Sequence, residues 1–436
     1  MKLRFLIFLF LIIMSFSLLA QDFVSISKDF VNLMSTKSFD KAVELFDDTM
    51  KSLLPKEKLE ELWNSLLKQV GSYKRAIDVR TEKADPYVVV YVTCEFEKLD
   101  LDVKIVLNRE GKISGLFFLP ASPKSYSIPS YVDIGKFREE DITIGSTEFP
   151  LPGKITVPIG EGPFPLVILV HGSGPNDMDE SIGPNKPFRD LAYGLSSMGI
   201  AVLRYDKRTK AHTDKFVKVY KDGFTVWEEV IEDVLYAIDF ALKRNDIDRN
   251  KIFILGHSLG GMLVPRIAKA SGKIAGLIIM AGPTRPLEDL IWEQVNYIYS
   301  LDGEISEEEK TQLDILKREI EKIKKLDNLY NSSDLILGTP VKYWKDLKGY
   351  NPAEELSSLN LPVLILQGGR DYQVTLEDFN GWKSYLKNNN AKFKLYDKLN
   401  HLFLEGEGKS IPEEYYKEGH IPEYVIKDIA DFVLSK

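Results

Sequence analysis

An apolar run rich in β-branched residues, Lys251-Ile-Phe-Ile-Leu255, ends abruptly in Gly256-His257-Ser258-Leu259-Gly260, and a helix-like segment from Met262 follows. That is the sequence form of a strand, a very tight turn and a helix, with a serine at the apex. A serine at such a turn sits in a strained backbone conformation, and side chains two residues to either side would collide with the neighbouring strand and helix. Gly256 and Gly260 remove those side chains, which leaves the Ser258 hydroxyl standing clear at the end of a sheet. The bland alternative is a glycine-rich turn with no chemistry.

A nucleophilic serine needs a base, an orienting acid and donors for a developing oxyanion. In chains with this turn the order is serine, carboxylate, histidine, and only His401 and His420 follow Ser258. The run Leu361-Pro-Val-Leu-Ile-Leu-Gln-Gly-Gly-Arg-Asp371 reads as a buried parallel strand that stops at two glycines. Asp371 then lies past its carboxyl end, where sites in open α/β sheets form. The next strand-like run, Ala391 to Leu399, leads into Asn400-His401. In this reading Ser258 attacks, His401 carries the proton, and Asp371 holds the imidazole tautomer. His420 is the alternative base, though no strand leads into it. Asp397 is the alternative acid, but it is expected inside the strand. Pro165 to Val170 is a further buried strand, ending in His171-Gly-Ser-Gly-Pro175. Its small residues let backbone N–H groups turn toward a substrate oxygen. The donors expected are the N–H groups of Leu259 and Ser173, with Gly174 as alternative to Ser173; His171 and His257 are read as structural.

HGSGPND from His171, Gly199-Ile-Ala-Val-Leu-Arg-Tyr-Asp-Lys-Arg208, GHSLGG, QGGRDYQV and LNHLFLEGEG occur in that order. Together they resemble the EstD-type bacterial carboxylesterases of the α/β-hydrolase superfamily over about residues 137–436. The resemblance implies an α/β-hydrolase fold, a mainly parallel doubly wound sheet with a helical cap insertion. It also implies a cofactor-free, metal-free serine esterase acting on short- to medium-chain carboxylic esters, and it supports Ser258, Asp371 and His401 by matching positions. Thr209 stands where glycine is common after Lys207-Arg208, so that loop is expected to differ; Arg208 is read as its anchor.

A net charge of −8 argues against nucleic-acid partners. The single cysteine, Cys94, lies in an apolar run and reads as a small core residue. Lys2 and Arg4 precede the apolar stretch Phe5 to Leu19 and then Ala20-Gln-Asp, the form of a secretory signal over residues 1–20. Leu18 fits the cleavage pattern poorly, so an uncleaved anchor is the alternative. The mature protein is expected in the envelope or outside the cell, with a small-molecule ester as its partner.

Residues 21–120 predict a small α+β domain. Leu59, Leu62, Trp63, Leu66, Leu67 and Val70 form a helical face, and strands are expected at Tyr87–Phe96, Leu101–Leu107 and Ile113–Leu119. The pattern resembles the nuclear-transport-factor-2 superfamily. A linker is expected at 121–136 and the hydrolase domain at 137–436, with a cap at about 284–355. In the cap, Ser306 and Glu309 form a capping box. Trp292, Tyr297, Tyr299, Tyr330, Tyr343 and Trp344 are candidates for an apolar pocket wall. A peptidase or amidase of the same fold, or a non-catalytic envelope binding protein, are the competing functions; no paired-glutamate site for a substrate amine is evident.

Overall fold

The computed structural model describes residues 23–121, 126–326, 330–387 and 390–436. The expected signal at 1–20 lies outside them, and among the described residues no helix is long and apolar enough to cross a membrane. The chain divides between Ser125 and Tyr126 into two compact units.

In the first unit, helices at 23–35, Phe39–Glu44, Asp48–Leu53 and Lys56–Val70 precede four antiparallel strands. These are β1 (Tyr73–Ala84), β2 (Tyr87–Phe96), β3 (Leu101–Leu107) and β4 (Ile113–Pro120), paired in that order. Trp63, fully buried, packs its ring against Phe96 and Tyr73 and joins the longest helix to the sheet. Leu62 does not share that face and is exposed. Cys94 is buried in this core, where burial pushes its thiol up to about 12. Strand β1 has no counterpart in the sequence reading. Its Tyr-Lys-Arg-Ala-Ile-Asp-Val-Arg-Thr-Glu-Lys-Ala lies at the sheet edge and is largely solvated, so the apolar signal is weak.

The second unit begins inside the expected linker. Tyr126 Oη donates to Asp190 at 2.7 Å and Tyr131 Oη to the Ile421 carbonyl at 2.7 Å. Two tyrosines thus convert a Ser/Pro-rich stretch into packed structure. Its strands are β5 (Phe137–Gly145), β6 (Pro150–Pro158), β7 (Phe164–Val170), β8 (Ala201–Tyr205), β9 (Ile247–His257) and β10 (Gly276–Met280). After a helical insertion carrying the short pair β11 (Leu335–Ile336) and β12 (Thr339–Pro340) come β13 (Val363–Gly368) and β14 (Ala391–Tyr396). The sheet order is β14-β13-β10-β9-β7-β8-β6-β5, parallel from β14 to β8 and antiparallel beyond.

Alternation along the parallel strands explains the two helical layers. Ile252, Ile254, Leu277 and Ile279 enter one apolar cluster with the helices Glu232–Ala241 and Leu259–Ser271. Phe253, Leu255, Ile278 and Met280 enter the other, with Pro187–Ser197 and Glu423–Leu434. Strands buried on both faces read as continuous apolar runs, which is why β7, β9, β10 and β13 are visible in the sequence. The insertion holds helices Leu287–Tyr299 and Glu307–Lys324, the latter opened by the Ser306–Glu309 capping box. Val230 and Val234 join the first of these clusters, and their helix begins with a π turn at Trp227–Ile231.

Candidate active site

Ser258 stands between β9 and the helix Leu259–Ser271 with φ 52° and ψ −120°. A left-handed φ is disfavoured for any residue with a Cβ and persists only where surrounding structure dictates it. Here the close approach does so. A side chain on Gly260 would drive into the Val170 and His171 carbonyls at the end of β7, and one on Gly256 into the backbone of Gly260. The Ser258 N–H donates to the Met280 carbonyl at 3.0 Å, tying the turn to β10. Ser258 Oγ makes no hydrogen bond among the described residues, and the residue lines a cavity of about 690 Å³.

His401 lines the same cavity. Its Nδ1 lies 2.7 Å from Asp371 Oδ2, with Asp371 in the turn after β13. A carboxylate only accepts, so Nδ1 carries the hydrogen, and in the neutral ring Nε2 then holds the lone pair. The other oxygen of Asp371, Oδ1, accepts the Gln373 and Val374 N–H groups at 2.7 and 3.0 Å. Asn400 Oδ1 accepts the N–H groups of Leu402 and Leu404, both at 3.0 Å, and so shapes the loop that carries His401.

Ser173, Gly174 and Leu259 also line the cavity. Leu259 is the first residue of its helix, so its N–H has no carbonyl within the helix to bond. The turn after β7 is pinned at Gly172, whose N–H donates to Glu180 Oε1 at 2.6 Å and whose carbonyl accepts Lys207 Nζ at 3.0 Å. Asn176 Nδ2 closes it by donating to the Ser173 carbonyl at 3.1 Å.

The alternative base and acid lie elsewhere. His420 Nδ1 is 3.1 Å from Asp190 Oδ1 and its Nε2 3.0 Å from Ser127 Oγ, a second Ser-His-Asp arrangement. There the serine hydroxyl donates to Glu418 at 2.7 Å, so it is not presented to the ring. Strand β14 ends at Tyr396, not Leu399, so Asp397 lies past the strand in an exposed turn. What sets it aside is that His401 faces Asp371, not its position in a strand. His171 is buried and structural, its Nε2 donating to the Asp177 carbonyl at 3.0 Å. Arg208 is an anchor: its Nε donates to Asp233 Oδ1 at 2.9 Å and its Nη1 meets Glu232 at 2.6 Å.

Of the six cap aromatics named above, Tyr343 and Trp344 line the cavity; Trp292, Tyr297, Tyr299 and Tyr330 do not. Tyr297 instead stacks on Tyr372. Aliphatic residues Leu287, Leu290, Ile291 and Leu337 take the expected place of the rings, and Phe216, Val217 and Phe224 from the segment after β8 complete the wall. That segment lacks a helical apolar stripe long enough to mark it from sequence. Glu180 and Glu229 also line the cavity and were not foreseen. Their carboxylates are engaged, Glu229 with Lys207 Nζ at 2.6 Å and Glu180 with His257 Nδ1 at 2.9 Å.

A doubly wound sheet with a strand–serine–helix turn and loops gathered at the carboxyl ends of β7, β9, β13 and β14 defines an α/β-hydrolase. The family model described as serine aminopeptidase, S33, matches residues 163–408, and that of a protein of unknown function (DUF3887) matches residues 27–116. The chain is 43% identical over 407 residues to esterase EstD of Thermotoga maritima, an alignment spanning 93% of this chain and 94% of that protein. It belongs to this S33 hydrolase family. Among solved structures it is similar to Est1E from Butyrivibrio proteoclasticus, with 18% identity, TM-score 0.43 and coverage of 68% of this chain and 99% of that one. An esterase of Pyrococcus furiosus matches with 17% identity, TM-score 0.46 and coverage of 72% and 97%.

Proposed function

We propose that this protein is a serine carboxylesterase that cleaves short- to medium-chain carboxylic esters through an acyl-enzyme. The observation that carries the reading is the Asp371–His401 hydrogen bond, 2.7 Å long, opening onto the cavity that Ser258 also lines. The 43% identity to an esterase supports the bond type. His401 Nε2 takes the proton of Ser258 as Oγ attacks the acyl carbon, and Asp371 stabilises the imidazolium. The N–H groups of Leu259 and Ser173 receive the oxyanion. His401 then returns the proton to the departing alcohol, and water repeats the sequence to release the acid.

The wall of Leu287, Leu290, Ile291, Leu337 and Phe216 suits an apolar acyl or alcohol group. An aminopeptidase needs an acidic group free to bind the substrate amine. Both carboxylates lining this cavity face cations of the chain itself, which favours the ester.

The test is a rate profile over p-nitrophenyl acetate to decanoate for the wild type and Ser258→Ala, with fluorophosphonate labelling. Loss of the serine should cost about 10⁴-fold or more in kcat. An unchanged rate overturns the assignment, and faster cleavage of aminoacyl-nitroanilides than of esters moves the reading to a peptidase. We also propose export by the signal at residues 1–20, checked by N-terminal sequencing of the mature protein; a chain beginning at Met1 refutes cleavage.

A further inference from the structure

Glu180 and His257 take no part in the proton transfers above, yet both are buried in the cavity wall. Glu180 adopts φ 50°, a left-handed backbone that a residue with a side chain seldom keeps. Its Oε1 accepts the Gly172 N–H at 2.6 Å, and its Oε2 stands 2.9 Å from His257 Nδ1. On the far side of the ring, His257 Nε2 lies 2.9 Å from the carbonyl oxygen of His401. The two imidazole rings are 4.7 Å apart between centroids. A carbonyl oxygen only accepts, so His257 Nε2 carries a hydrogen, while Nδ1 and Glu180 Oε2 face each other at ion-pair distance without hydrogen-bond alignment, an arrangement that favours positive charge on the ring. Burial opposes that charge, but the Glu180 carboxylate and the His401 carbonyl outweigh it and hold the ring above its ordinary value. Burial likewise opposes ionisation of Glu180, and the His257 charge reverses the balance. The other titratable groups around the pair are His171, which faces Glu180 and has Lys207 beyond it, and His401 and Asp371 on the His257 side.

We propose that the Glu180–His257 pair is a positioning device that ties the oxyanion turn at Gly172 to the backbone of the catalytic histidine, so that donors and base are set in one register around Ser258. The proposal rests on the reading of Ser258 and His401 as nucleophile and base. Neither side chain is a catalytic residue. Acting through the N–H turn and the His401 backbone, the pair governs the chemical step more than substrate binding.

His257→Gln keeps a donor but removes the charge. It should lower kcat about 10- to 100-fold while KM stays within about twofold, with fluorophosphonate labelling slowed in parallel. With the cation gone and the Glu180 carboxylate left, a protonated His401 is favoured, so the acid limb of the kcat/KM profile moves to higher pH. The double variant Glu180→Gln/His257→Gln should bring that limb back toward the wild type and cost little more than the worse single change. A role in packing alone would lower the melting temperature and leave the limb in place. The proposal is overturned if folded His257→Gln keeps kcat, labelling rate and acid limb, or if its losses follow melting temperature with the limb unmoved. Where His257→Gln does not fold, the nearly isosteric Glu180→Gln takes its place: a fall in kcat at constant KM supports the device and an unchanged kcat removes it. Ser258→Ala, run alongside, separates the two readings. If it stays active, both fall; if it alone is inactive, only the positioning role falls.

Discussion

His171 lies just before the Gly172-Ser173-Gly174 turn, its ring against Phe188 and Tyr205 with centroids 5.0 and 5.3 Å away. Burial lowers its pKa from 6.5 to about 4. An unfolded chain therefore takes up this proton near 6.5 and the folded one only near 4. Stability falls as pH drops across that window, by up to about 3 kcal/mol. Urea midpoints should show this: His171→Asn should be less stable at neutral pH but lose less than the wild type on acidification to about pH 5. A second expectation concerns Asp371→Asn. The Gln373 and Val374 N–H groups still find a carbonyl oxygen, so the melting temperature should change little. The amide cannot hold the His401 tautomer with its lone pair on Nε2, and kcat should fall about 10⁴-fold. Equal losses of stability and activity would count against that role. Asp371 and His401 were legible because each follows a strand edge in a fixed chain order. Glu180 was not: it is a loop acid with no periodicity around it, and only the fold shows that it faces Gly172 and His257.

Elements legible from pattern are those whose physics is local. Strands β7, β9, β10 and β13 are apolar runs because helices cover both faces, and the box at Ser306–Glu309 marks a helix start through its own reciprocal bonds. Strand β1, at an edge and mixed in composition, carries no such signal. The end of β14 was read three residues too long because Asp397-Lys-Leu399 continues the alternation while the backbone turns toward His401. The strand–serine–helix element yields a sharp expectation. Gly260→Ala places a methyl group against the Val170 and His171 carbonyls, which belong to backbone and cannot swing aside. The turn must shift, at a cost of about 3 kcal/mol or more, and Ser258 labelling should disappear with it. Thermal unfolding and fluorophosphonate labelling of this variant check both; labelling at the wild-type rate would show that the elbow tolerates the side chain.

Across the molecule, the candidate site draws on the chain ends of β7, β9, β13 and β14 and on an insertion between β10 and β13. None of these segments holds a site alone. Fluorophosphonate labelling should therefore vanish in urea at the same midpoint as the far-ultraviolet dichroism of the sheet, since both report one cooperative structure. Labelling that outlasts the sheet would mean that Ser258 needs less of the fold than the geometry implies. The amino-acid order was sufficient for the strand–turn–helix around Ser258, for the buried strands and for the choice of Asp371 and His401 as a candidate pair, because sterics, side-chain alternation and chain order act between near neighbours. Sheet order, the aliphatic wall of the cavity, the packing of the supposed linker and the Glu180–His257 contact belonged to the tertiary structure alone. Each depends on which distant segments exclude water from one another, and that is settled only when the whole sheet closes around them.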